Sequence, residues 1–120
     1  MTNYGPKIAV SREGQINIVE LLDEEILEEG TINVIADSVF SVVADGTGIK
    51  LIISFAQVRH LSSSALGMLI RINKRVEESG GTLKLSHLRK PLLEIFKITR
   101  LDRSFDIYND NNAALRSFNS

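Results

Sequence analysis

The stretch Ile49-Lys50-Leu51-Ile52-Ile53-Ser54-Phe55 constrains the fold more than any other part of the chain. It is apolar except at Lys50 and Ser54, and a short run of this kind suits a central strand covered on both faces. From Ser63 to Ser79 the apolar period changes. Ala65, Met68, Leu69, Ile72 and Val76 fall within an arc of roughly 100° on a helical wheel, which predicts a helix with one buried stripe, closed by Gly80-Gly81. Thr82 to His87 then alternates as a strand with Leu83 and Leu85 inward. A buried strand, a helix and a second strand in succession form a unit whose two strands run parallel.

The flanks extend this unit. Residues 7–12 and 16–22 alternate apolar and polar around Glu13-Gly14-Gln15 and predict a hairpin. Asp23 to Gly30 is strongly acidic and reads as an exposed connection. Thr31 can cap a helix whose apolar positions are Ile32, Ile35, Ala36, Val39, Val42 and Val43, ended by Asp45-Gly46-Thr47-Gly48 with Gly46 in the left-handed position. Pro91 suits the first position of a third helix with Leu92, Ile95 and Phe96 buried. Phe105 to Tyr108 reads as a last strand, and Asn111 or Asn112 can cap a terminal helix through Phe118. The expectation is an α/β fold: one domain over 1–120, with a mixed, mostly parallel sheet of about five strands and about four helices. Residues 1–6 are read as an N-terminal extension and 119–120 as a tail.

Composition excludes several classes. Fourteen Lys and Arg nearly balance fifteen Asp and Glu, and no basic cluster stands out, so no nucleic-acid partner is expected. Without cysteine there are no disulfides or thiolate metal sites, and His60 and His87 read as ordinary loop histidines, so no metal and no cofactor is expected. The first residues lack a basic start and an apolar core, and apolar runs fall far short of the ~20 residues that span a bilayer. The chain reads as soluble and cytoplasmic, with no direct membrane insertion; composition leaves the oligomeric state open.

The chemistry concentrates between Phe55 and Arg71, where an apolar strand ends and Ser62-Ser63-Ser64 leads straight into a helix. The first amides of a helix lack internal partners and its dipole favours an anion there, so a hydroxyl can cap them and a phosphate would be accommodated. In phase with the core stripe, Ser63 aligns with Gly67, Arg71, Lys74 and Glu78 on the solvent face. Ser62 sits where a cap would sit and Ser64 lies on the flank. Ser63 is therefore the hydroxyl most available to another protein, and Gly67 leaves the neighbouring surface uncovered.

Ser62-Ser63-Ser64-Ala65-Leu66-Gly67 resembles the Asp-Ser-Ser-Gly-Leu-Gly motif of the STAS family, whose founding members are anti-sigma-factor antagonists. The resemblance continues through Lys74-Arg75-Val76, Gly80 to Leu85, Leu92 to Phe96 and Leu101-Asp102, and is strongest between 49 and 108. It implies the fold inferred above and a phosphorylatable serine at Ser63. It further implies an anti-sigma factor that doubles as the serine kinase, a phosphatase that resets the switch, and a bacterial, cytoplasmic role in transcription regulation. The resemblance also matches Asp23 to an acidic residue near the family's phosphosite. Ser62 stands where the family has Asp, and Ala65 where it has Gly.

Other readings stand beside these. The three serines could serve helix capping alone. The acidic run 23–29 is a solvated face or a docking surface, and Arg71, Lys74 and Arg75 are solubilising or contact a partner. Ser63 with His60 or His87 and Asp23 could be drawn as a triad, yet no Gly-x-Ser-x-Gly elbow and no phosphate-binding glycine loop is present, which argues against an enzyme. The missing carboxylate at Ser62 leaves open a constitutive STAS subunit, such as the small component of a lipid-transport ATPase complex. The residues singled out for partner binding are Asp23, Ser62, Ser63, Ser64, Gly67, Arg71 and Lys74.

Overall fold

The computed structural model describes residues 6–44 and 46–119. The elements run β1 (Ile8–Glu13), β2 (Ile16–Leu21), β3 (Glu25–Ile26), α1 (Glu29–Val43), β4 (Lys50–Ser54), β5 (His60–Leu61), α2 (Ser63–Glu78), β6 (Thr82–Ser86), α3 (Lys90–Ile98), a 3-10 turn (Leu101–Arg103), β7 (Asp106–Tyr108) and α4 (Asn111–Phe118). Five strands form one sheet in the order β1-β2-β4-β6-β7, antiparallel only at the β1–β2 hairpin. β4 lies at its centre, and Leu51, Ile52 and Ile53 are all wholly buried, as a strand covered on both faces requires.

The pleat divides the core. Val19, Leu21, Leu51, Ile53, Leu83 and Leu85 join the buried stripes of α1, α2 and α3 in one large cluster. Ile16, Ile18 and Ile52 face the other way and meet Ala114 of α4. α4 is thus the helix of the far face. Lys84, almost buried, fastens it there: its ammonium donates to the Tyr108 hydroxyl at 3.2 Å and stands over the rings of Tyr108 and Phe118. The Ser117 hydroxyl first, and then Lys84, hold the Tyr108 phenol below its ordinary pKa. Among the described residues no helix is long and apolar enough to cross a membrane.

Several local expectations differ from the structure. Residues 23–30 contain β3, and Ile26 is wholly buried. α1 starts at Glu29, two residues before Thr31, so Thr31 is no cap; the Glu29 carboxylate in the first turn complements the helix dipole instead. The left-handed glycine after α1 is Gly48, with φ +60°, rather than Gly46, and Asp45 lies outside the described residues. Pro91 is the second helical residue of α3, Val42 and Ile95 are half-buried, and Asp110, not Asn111 or Asn112, caps α4 by accepting the Ala113 amide at 2.7 Å.

Gly81 joins α2 to β6 at a point of close backbone contact. A Cβ there would overlap the main chain of Ile49, whose carbonyl accepts the Thr82 amide at 2.8 Å. Neither strand can yield without breaking this pairing. Gly81→Ala is therefore expected to cost about 2–3 kcal/mol, read as a lowered midpoint in urea denaturation, and a midpoint equal to wild type would contradict this packing.

Candidate functional site

The site is built where β4 ends. Phe55 and Val58 are wholly buried and anchor the exit of the strand, with the Val58 amide turned back onto the Phe55 carbonyl at 3.0 Å. The next residues are stitched to the segment that precedes α1. The amides of Arg59 and His60 both donate to the Glu24 carbonyl, β5 pairs parallel with β3, and the Ser62 amide donates to the Ile26 carbonyl at 3.1 Å. Buried Ile26 supplies the apolar weight beneath this small pair. The backbone is therefore fixed immediately before the serines.

Ser62 has the extended conformation of an N-cap, and its hydroxyl accepts the Ala65 amide at 3.2 Å while its carbonyl accepts the Leu66 amide. Ser64 donates from its hydroxyl to Glu29 Oε1 at 3.2 Å, tying the start of α2 to the start of α1. Between these two engaged hydroxyls, Ser63 is exposed and its Oγ has no hydrogen-bond partner among the described residues. The expected division of the three serines into cap, display and flank is the one observed.

Along α2, Ser63, Gly67 and Lys74 lie within about 40° of one another around the helix, with exposed Arg71 beside them. Space beside Gly67 is open apart from the guanidinium of Arg71, which lies 3.9 Å from where a Cβ would stand. Arg71 therefore leans back along the helix toward Ser63, the direction that helical side chains favour. Arg75 is drawn elsewhere: its guanidinium donates to the Ala44 carbonyl at 3.0 Å and secures the far end of α1.

Asp23 follows β2, and its carboxylate pairs with Lys7 at 2.9 Å. Its connection to the serine turn runs through the neighbouring Glu24 carbonyl. His60 is exposed on β5, and His87 Nε2 accepts the Asn111 amide at 3.4 Å beside α4. Sequence reasoning missed Glu29 as the partner of Ser64 and Ile26 as the support of the turn. It also passed over Ile70, which is 47% exposed in the same line as Ser63, although its place seven residues on was available as a signal.

A five-stranded sheet with three crossover helices on one face, and a capped serine turn at the exit of its central strand, defines a small α/β domain that displays a hydroxyl at a helix start. The STAS domain model matches residues 10–114, and the chain belongs to that family. Residues of this chain are 37% identical over 60 positions to the anti-sigma-B factor antagonist of Bacillus subtilis (strain 168), a match covering half of this chain and 55% of that relative. The chain therefore matches about half the length of this curated relative. Among solved structures, an anti-sigma-factor antagonist (STAS) domain protein from Planctomyces limnophilus superposes with a TM-score of 0.87 at 22% identity, covering 94% of this chain and 98% of that one. The Bacillus cell fate determinant SpoIIAA in its phosphorylated form superposes with a TM-score of 0.67 at 14% identity, covering 92% and 98%. At such identities the likeness speaks for the fold.

The cap can be tested apart from any partner. Ser62→Ala is expected to lower stability by about 1 kcal/mol, whereas Ser62→Asp, an equally good cap, keeps it within about 0.5 kcal/mol of wild type. Urea titrations of the three proteins check this; a Ser62→Ala midpoint equal to wild type would mean the hydroxyl caps nothing.

Proposed function

We propose that this chain is a bacterial, cytoplasmic anti-sigma-factor antagonist that acts by binding rather than by catalysis. Its partner is an anti-sigma factor that is also a serine kinase; phosphate at Ser63 releases that partner, and a phosphatase restores the binding form. The observation that carries the reading is the contrast within one turn: Ser62 and Ser64 are engaged, while Ser63 is exposed and its hydroxyl has no hydrogen-bond partner among the described residues. Membership of the STAS family and the partial match to an antagonist of known partner class support the same reading.

The chemistry of the switch follows from the surroundings. Phosphorylation adds about −1.5 to −2 charge at neutral pH, at a helix start where an anion is tolerated, so the fold is left intact. Ser62 caps without charge, so no carboxylate at that position repels the incoming phosphate. A partner matched to a neutral hydroxyl beside Gly67 and Arg71 then meets a dianion, and like-charge or unpaired-charge contacts of this kind cost several kcal/mol. That suffices to move a complex from nanomolar to micromolar affinity.

Incubation with the candidate kinase and ATP, followed by mass spectrometry, is expected to place one phosphate on Ser63 and none on a Ser63→Ala variant. In calorimetry, Ser63→Asp is expected to bind the unmodified partner at least about 100-fold more weakly than wild type. No label at Ser63 together with undiminished binding by Ser63→Asp would overturn the proposal and favour a constitutive subunit instead.

A further inference from the structure

A groove of about 720 Å³ runs beside α2, between that helix and the turn that follows α3. Leu101 and buried Phe105 form its floor, and Ile70, Asn73, Lys74, Glu77 and Glu78 line the α2 side. The wall is firm: the Asn73 amide group donates to the Ser104 carbonyl at 3.4 Å, and Arg100, in the left-handed region at φ +62°, turns the chain into the 3-10 segment that presents Leu101. Ile70 stands out on its helix. Ala65, Met68, Leu69, Ile72 and Val76 are buried to 1% or less, yet this aliphatic side chain is 47% exposed on the opposite face, about 20° around the helix from Ser63.

We propose that this groove is the affinity-determining part of the surface that binds the anti-sigma partner, taking an apolar anchor side chain from it. The inference rests on the function proposed above and adds to it where the binding energy resides. The argument is one of scale. A standard protein interface covers about 800 Å² on each partner, a disc with a radius of about 16 Å. Ile70 is seven residues from Ser63, about 10 Å along the helix axis. A partner centred on Ser63 therefore also covers Ile70 and the near end of the groove. Interface energy concentrates on apolar anchors seated in firm pockets, whereas a lone serine hydroxyl supplies little. Recognition and control are thus divided: the groove binds, and Ser63 permits or forbids.

The test uses the full chain and a purified anti-sigma factor of the serine-kinase type, with affinity measured by calorimetry for wild type, Ile70→Ala, Val10→Ala and Ser63→Asp. Val10 is 48% exposed on edge strand β1 and controls for loss of any exposed apolar group. Ile70→Ala exchanges one exposed side chain for a better helix former, and circular dichroism verifies an unchanged fold. The expected result is binding at least about tenfold weaker for Ile70→Ala, within about twofold of wild type for Val10→Ala, and an unchanged rate of Ser63 phosphorylation at saturating kinase. Binding by Ile70→Ala within twofold of wild type, while Ser63→Asp abolishes it, overturns the groove and leaves the proposed function standing. Wild-type protein that binds no such kinase overturns both.

Discussion

The site depends on a handful of backbone hydrogen bonds between two chain segments far apart in sequence. Glu24 and Ile26 offer carbonyls, and Arg59, His60 and Ser62 fill them with amides. Because β2 and β4 are neighbours in the sheet, both segments leave it at the same end and side by side. The pairing fixes the residue before α2 in the extended conformation that an N-cap needs, and the three serines take their positions from that fixed entry. Ile26 and Val58, both wholly buried, anchor the two segments in the core.

The three serines show how one residue type takes three roles through position alone. The first hydroxyl points along the helix axis to a free amide, the third reaches sideways to a glutamate on α1, and the middle one points outward. An aspartate in the first place would cap equally well but would bring a charge. A serine at this position therefore provides the cap without placing a charge beside the exposed hydroxyl.

What could be read from the sequence was what carries periodicity. The apolar run of β4 and the stripe of α2 each repeat a signal over several residues, so β4 and α2 were legible with close boundaries, and with them the exposure of Ser63. β3 and β5 are two residues each and exist through pairing with one another; no local pattern announces such elements, and Ile26 was hidden in an acidic stretch. Caps misread at Thr31, Asn111 and Asn112 have a different cause. Several polar residues stood near each helix start, and only the three-dimensional path decides which of them precedes the first turn. The line from Ser63 through Gly67 and Ile70 to Lys74 follows from helical geometry alone, but the groove beside it needs Leu101 and Phe105, brought in by the tertiary fold.

The placement of α4 behind the sheet has a practical outcome. Its attachment through Lys84, Tyr108 and Phe118 holds the end of the described chain on the side away from α1, α2 and α3. A fluorophore, a surface tether or a fused carrier joined after Phe118 would hang from the back of the molecule. The module can be grasped by its tail while its front remains open to visitors.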